Sequence, residues 1–433
     1  MNLRSLVKNI IPRSLFRAIE PYGHLAEAIL LNIIYGFPAR NLKVIGVTGT
    51  NGKTTTSFLI HRMMVESGYK VGLMTTVAYG AGNDIHPQIE HMTTVSVPVL
   101  LKRIKYLKAQ GIEWLVLETT SHALAQHRVW GVPYSIAVMT NITHEHLDYH
   151  GTFERYRDAK RMMFKMANHN RRGKRVGVIN ADDDSVNLFA KSIKNIILYG
   201  VKNGELRPKN IKNTARGVSY EVDYEGKHYQ IKCHIPGTFN IYNSLAAVGV
   251  GHCLGLSEEQ VAVGIDALKS VEGRMTRIDA GQQFEVIVDF AHTPDSFEKL
   301  FKDLRPKVSG KLIVMFGSAG RRDEAKRPIQ GELAGMYADE VVITEEDDRD
   351  IDGQQIMAEI AAGAEKAGKV KDRDLFLVHN REEAVEFALK RAKAKDDLVL
   401  LLGKGHEKSI ERADGEHPWN EAEVAEKYLK KLA

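Results

Sequence analysis

Residues 46–56 read Gly-Val-Thr-Gly-Thr-Asn-Gly-Lys-Thr-Thr-Thr, directly after the apolar run Leu42–Val47. The pattern predicts a strand, a glycine-rich turn and a helix start. Such a turn aims backbone N–H groups and a helix N-terminus at phosphate, with Lys53 as a point charge and the Thr54 hydroxyl as a Mg²⁺ ligand. A strict Walker A loop has glycine five residues before Gly52, where Val47 stands. The loop is therefore a variant, and it marks the chain as a user of ATP.

Outward from this loop, strand-like and helical runs alternate. Lys43–Val47, Trp114–Glu118, Ile136–Thr140, Val176–Asn180 and Asn195–Tyr199 read as strands, with helices over Thr55–Glu66 and Pro98–Gln110 between them. This is the signature of an α/β, doubly wound sheet of the P-loop ATPase kind. Residues 203–235 change to short alternating runs split by Glu225-Gly226. They predict a small β-meander inserted in or appended to that sheet. A second alternation begins near Phe284 and predicts a C-terminal Rossmann-like domain. The expected division is an N-terminal helical segment over 1–40, a central ATP-binding domain over 41–271 and an amino-acid-binding domain over 272–433.

A chain of 433 residues has room for two or three such domains. Its net charge of +5 is spread along the sequence, which does not argue for nucleic acid. Two cysteines, Cys233 and Cys253, are too few for a disulfide framework and fit a reducing, cytoplasmic compartment. No stretch reaches the ~20 apolar residues of a membrane span. The longest apolar feature, Ala26–Phe37, follows a basic segment with Arg4, Lys8, Arg13 and Arg17. It reads as a packed helix, with a membrane-surface helix as the alternative.

Chemistry-bearing clusters fall at strand ends, where open α/β sheets bind ligands. Glu118 ends one strand and can hold Mg²⁺, since hard cations take oxygen ligands. Residues 140–150, Thr-Asn-Ile-Thr-His-Glu-His-Leu-Asp-Tyr-His, follow another. Their three histidines lack a zinc-binding spacing and any accompanying cysteine. Lys160 stands in a helical segment shortly after.

Together these motifs resemble the Mur ligase family, ATP-dependent amide-bond-forming enzymes of peptidoglycan synthesis. The resemblance runs from about Asn41 to the C-terminus. It implies that Gly49, Thr50, Asn51, Gly52, Lys53, Thr54 and Thr55 form the ATP loop. It makes Glu118 and His146 metal ligands with Thr54, and Lys160 a carbamate whose anionic end joins them. Residues 118–128, 141–151 and 180–183 are similar to the branch that adds a diamino acid to UDP-N-acetylmuramoyl-L-alanyl-D-glutamate. Thr93, Thr94, Ser121, Gln126 and Arg128 match its peptide contacts. Asn240, Asn243, Arg274, Asp289 and His292 fall where adenine, ribose and the hinge are expected. Arg321 belongs to the C-terminal phosphate and acceptor region, and Gly403 and Glu407 to the loop that meets the incoming amino acid. The branch's Asp-Asn-Pro-Arg motif falls on Glu346-Asp347-Asp348-Arg349. Its terminal arginine leans toward meso-diaminopimelate over lysine, because a guanidinium can grip a distal carboxylate. The resemblance lacks the family's N-terminal UDP-binding domain.

The implied activity is ATP-dependent ligation through an acyl phosphate, by a monomer with ATP and Mg²⁺ as cofactors. A muramoyl-peptide and a diamino acid are its small-molecule partners. A folate-glutamate or poly-amino-acid ligase is the neighbouring enzyme reading. A nucleotide-dependent switch is the reading from another class, and it leaves Lys160 and Gly403-Lys-Gly-His-Glu407 without a role.

Overall fold

The computed structural model describes residues 13–88, 90, 92–143, 145–214 and 216–432. Part of the expected 1–40 segment, residues 1–12, and His144 of the histidine-rich stretch lie outside them. The chain forms two compact units. One runs to Ile211 and adds Tyr220–Lys232 and Tyr242–Ala267; the other takes Lys212–Ser219, Cys233–Ile241 and the chain from Leu268 onward.

The first unit is built on an eight-stranded sheet. Its strands are β1 (Lys43–Thr48), β2 (Val71–Met74), β3 (Ala78–Ala81), β4 (Asp84–Pro87), β5 (Trp114–Glu118), β6 (Tyr134–Met139), β7 (Val176–Asn180) and β8 (Asn195–Tyr199), in the spatial order 4-3-2-5-1-6-7-8. The β2-5-1-6-7-8 portion is parallel. β1, β5 and β6 are buried along nearly all their length, which is why they read as unbroken apolar runs. β1 lies between β5 and β6, where the chain switches sides, so the crevice at its C-terminal end faces the Gly-rich loop. The antiparallel β3–β4 edge escaped sequence reading. These strands have four residues each and carry Gly80 and Pro87, weak strand signals.

Residues Pro208–Thr214 (β9), Gly217–Tyr224 (β10) and Lys227–Cys233 (β11) form a three-stranded sheet of their own. The expected meander is thus present but not hydrogen-bonded to the first sheet. Glu225 and Gly226 supply the two left-handed residues of its hairpin turn. After it, Ser257 caps the helix Glu258–Asp266 in a reciprocal capping box with Gln260.

The helix Arg13–Ile34 packs on the helix Val97–Ala109 through Ala28, Val97 and Leu101, with Leu31, Tyr35 and Trp130 around them. No helix among the described residues is long and apolar enough to cross a membrane.

The second unit holds β12 (Thr276–Arg277), β13 (Glu285–Asp289), β14 (Leu312–Phe316), β15 (Glu340–Ile343), β16 (Leu375–Leu377) and β17 (Leu398–Leu402), in the order 12-13-17-14-15-16. Only β12 runs antiparallel. A hairpin, β18 (Ser409–Arg412) and β19 (Gly415–Pro418), stands apart. Like the helix Lys326–Tyr337, it was not expected from sequence: Lys326-Arg327-Pro328 puts two charges and a proline at that helix's start.

One ion pair is locked inside this unit. Arg381 and Glu421 are both fully buried. Arg381 Nε and Nη2 donate to Glu421 at 2.9 and 2.8 Å. The guanidinium also donates to the carbonyls of Glu345 and Leu402 at 2.8 and 2.7 Å. Removing one partner strands a charge in a low-dielectric interior. Arg381→Met should therefore cost about 3–5 kcal/mol in urea unfolding, and Arg381→Met with Glu421→Met less than the single change.

Candidate active site

β1 delivers the loop Gly49–Gly52, and the helix Lys53–Glu66 begins immediately after it. Gly49 (φ 153°) and Gly52 (φ 83°) adopt left-handed backbone. A Cβ on Gly49 would lie 1.8 Å from Thr140 Oγ1, and one on Gly52 2.3 Å from Asn243 Oδ1. No side chain larger than hydrogen fits either position.

The end of β6 braces the loop. Thr50 N donates to Asn141 O at 2.7 Å. Asn51 N donates to Asn141 Oδ1 at 3.0 Å, and Asn141 Nδ2 returns a bond to Asn51 O at 2.9 Å. Thr140 Oγ1 reaches the same carbonyl at 2.6 Å. Asn180 Nδ2 in turn donates to Thr140 O at 2.7 Å. On the opposite flank Thr56 Oγ1 donates to Asn243 Oδ1 at 3.2 Å. Thr55 is buried in the first helical turn.

At the mouth, Thr54 Oγ1 lies 3.2 and 3.0 Å from the two oxygens of Glu118, at the end of β5. Thr76 N and Oγ1 also donate to that carboxylate, at 3.0 and 3.1 Å. A buried carboxylate beside a hydroxyl is an oxygen donor set, the kind a hard cation takes. Lys53 Nζ turns back to Thr50 O at 2.8 Å.

Lys160 is the least expected member by burial. It is 1% exposed, and its Nζ donates to Gly49 O at 2.6 Å. The amine also lies 4.6 Å from the centre of the Tyr156 ring. Burial first, then the Lys53 charge, hold it well below the usual lysine range, against the pull of Glu145 and Glu118. Tyr156, missed in the sequence because a core tyrosine carries no motif signal, links Thr50 Oγ1 at 2.9 Å to Glu145 Oε2 at 3.2 Å. His146 lies further out, 40% exposed, edge-on to His122 with centroids 4.6 Å apart.

A second group adjoins Glu118. Thr94 Oγ1 donates to Glu118 O at 3.0 Å and accepts from Thr120 N at 3.0 Å. Arg128 donates to Thr94 O and to Gln126 Oε1. Ser121 Oγ is 3.0 Å from His150 Nε2. Thr93 is half-buried next to Thr94. The peptide-contact residues named from sequence are thus neighbours in the first unit.

Other named residues lie in the second unit. Asn240 donates to Pro236 O at 2.7 Å. Asp289 accepts from Met275 N and Ala291 N, each at 2.8 Å, and burial raises its pKa. The Arg274 guanidinium lies 4.6 Å from the centre of the Phe290 ring, which His292 and His406 also flank. Lys404 sits between Asp347 at 2.9 Å and Glu407 at 2.6 Å, and burial raises the Glu407 pKa. Gly403, with φ 100°, passes so close to Glu346 that a Cβ would lie 2.5 Å from its Oε2. Arg349 donates to Glu411 at 2.7 Å and to Gly320 O. Arg321 pairs with the exposed Asp350. Arg349 and Arg321 are therefore held by protein oxygens, a feature the sequence did not reveal.

Residues 47–251 match the family model described as Mur ligase middle domain, and residues 273–405 that described as Mur ligase, glutamate ligase domain. The chain belongs to the Mur ligase family. It is an ATP-dependent ligase, with ATP and Mg²⁺ as its cofactors. It is 39% identical over 424 residues to the UDP-N-acetylmuramyl-tripeptide synthetase of Roseiflexus sp., covering 95% of this chain and 83% of the relative. It is 36% identical over 415 residues to the UDP-N-acetylmuramoyl-L-alanyl-D-glutamate--2,6-diaminopimelate ligase 1 of Clostridium acetobutylicum, with the same coverages of 95% and 83%. A solved UDP-N-acetylmuramoyl-L-alanyl-D-glutamate--2,6-diaminopimelate ligase superposes with TM-score 0.62 at 30% identity, covering 91% of this chain and 79% of that one. A Thermotoga maritima MurF ligase solved with ADP shares the fold, with TM-score 0.67 at 20% identity over 94% of this chain and 85% of that one.

The ligase's loop geometry makes a direct prediction. Gly52→Ala should weaken ATP binding at least tenfold by calorimetry, because the new Cβ meets Asn243 and the left-handed φ strains the loop by about 1 kcal/mol or more.

Proposed function

We propose that the chain adds a diamino acid, meso-diaminopimelate, to UDP-N-acetylmuramoyl-L-alanyl-D-glutamate, acting as a cytoplasmic monomer with its domain boundary at 271/272. The observation that carries this reading is the gathering of Lys53, Thr54, Glu118 and Lys160 at the end of β1. Sequence identity to relatives named for that reaction supports it.

The loop N–H groups and Lys53 bind the ATP phosphates. Thr54, Glu118 and His146 would hold Mg²⁺, which would neutralise phosphoryl oxygens when bound. Thr93, Thr94, Ser121, Gln126 and Arg128 hold the peptide so that its carboxylate faces the γ-phosphate. Attack by that carboxylate gives an acyl phosphate and ADP. The amine of the diamino acid then attacks the acyl carbon, and phosphate leaves. Arg349, Gly403 and Glu407 bind the diamino acid, with Arg321 in the same region.

Lys160 is carbamylated. Its amine, in the unprotonated form that burial favours, adds CO₂, forming an N–C bond and releasing one proton, and the product is an anion able to join the metal ligands. Unmodified ammonium would repel the cation.

ADP release measured with ATP, the UDP-muramoyl-dipeptide and diaminopimelate tests the reading. Turnover should require all three, and Lys53→Ala should abolish it. ADP release independent of the amino acid would sink the ligase assignment. Protein incubated with ¹³C-bicarbonate should show a carbamate carbon signal that Lys160→Ala removes, and added short carboxylates should restore part of that variant's activity. Arg349→Ala should raise the KM for diaminopimelate roughly ten- to a hundredfold, the worth of a charge-assisted bond of ~1.5–3 kcal/mol, and leave the KM for ATP nearly unchanged.

A further inference from the structure

The helix Arg13–Ile34 presents an apolar face that the first unit does not cover. Tyr22, Leu30, Ile33 and Ile34 are 73, 58, 57 and 65% exposed. With exposed Ala26, they follow the spacing of one helical stripe. The other side is the packed one: Ala28 is buried against Val97 and Leu101, and Asn32 Nδ2 donates to Trp130 O at 3.2 Å. The stripe is therefore not a core face. The exposed Glu27 adjoins it on the same helix.

The exposed charges of the adjoining helix are all basic. The helix beneath it, Val97–Ala109, contains no acidic residue and exposes Lys102, Lys105 and Lys108. Lys108 Nζ donates to Arg40 O at 3.2 Å, which places it by the chain that leaves the N-terminal helix. In sequence, Arg4, Lys8, Arg13 and Arg17 all precede the first carboxylate, Glu20. An apolar stripe flanked by lysine and arginine is the pattern of a helix lying in a headgroup layer. No described helix can span a bilayer, so the contact is in-plane.

We propose that the helix Arg13–Ile34 docks the chain on an anionic lipid bilayer, with Tyr22, Leu30, Ile33 and Ile34 entering the interface and Lys102, Lys105 and Lys108 facing the headgroups.

The test is flotation of the full chain with vesicles of equal parts phosphatidylglycerol and phosphatidylcholine, and with phosphatidylcholine alone. The wild type should float with the anionic vesicles, less so in high salt, and little with the neutral ones. L30E/I34E should lose flotation while keeping its melting temperature and its turnover of soluble substrates. K102E/K105E/K108E should bind anionic vesicles at least about tenfold more weakly. Absence of flotation by the wild type would overturn the proposal. So would equal flotation of the wild type and either variant, or equal binding to both vesicle types. A wild-type dimer in sedimentation that L30E/I34E dissociates, without vesicle binding, would overturn it in favour of a second copy as the occupant.

Discussion

The bond from the Lys160 amine to the Gly49 carbonyl, 2.6 Å long and fully enclosed, ties the helix Phe153–His169 to the turn that ends β1. Burying an ammonium there would cost several kcal/mol without a paired carboxylate. Burial, with the Lys53 charge beside it, holds the amine well below the usual lysine range instead. The phosphate loop, the Tyr156 hydroxyl and the Thr54–Glu118 pair are arranged around this one enclosed nitrogen.

The loop itself depends on β6. Its carbonyls and N–H groups are claimed by Thr140 and Asn141, and Thr140 is claimed by Asn180 from β7. Parallel neighbours end together, so a single crevice collects groups from β1, β5, β6 and β7. The second unit solves a different problem. Its strand ends carry many acids, and Arg381, Arg412, Lys404 and Arg349 are threaded among them. Such a lattice holds loops in place but leaves few charges unengaged.

Much of this was legible in the chain. Long buried strands announce themselves as apolar runs, and β5, β7 and β8 have the limits expected of them. The Gly-rich loop, Glu118 and Lys160 were named because motif order along the chain is specific. The β3–β4 edge and the β18–β19 hairpin were not seen. Short edge strands pair through backbone and need no apolar alternation. Tyr156, Asn141 and Thr76 were missed as site residues because their role lies in a hydrogen bond to a distant segment.

The sequence alone determined the α/β class, the alternation of the long buried strands with helices, the phosphate loop and the residue types at those strands' ends. Those follow from local periodicity and from the backbone freedom that Gly49 and Gly52 require. Only the tertiary structure decided that Lys160 is enclosed, that the meander forms a sheet of its own, that Arg349 is held by Glu411, and that one face of the N-terminal helix stays exposed. Burial, pKa and pairing depend on groups far apart in sequence, and no local pattern encodes the dielectric in which a side chain will sit.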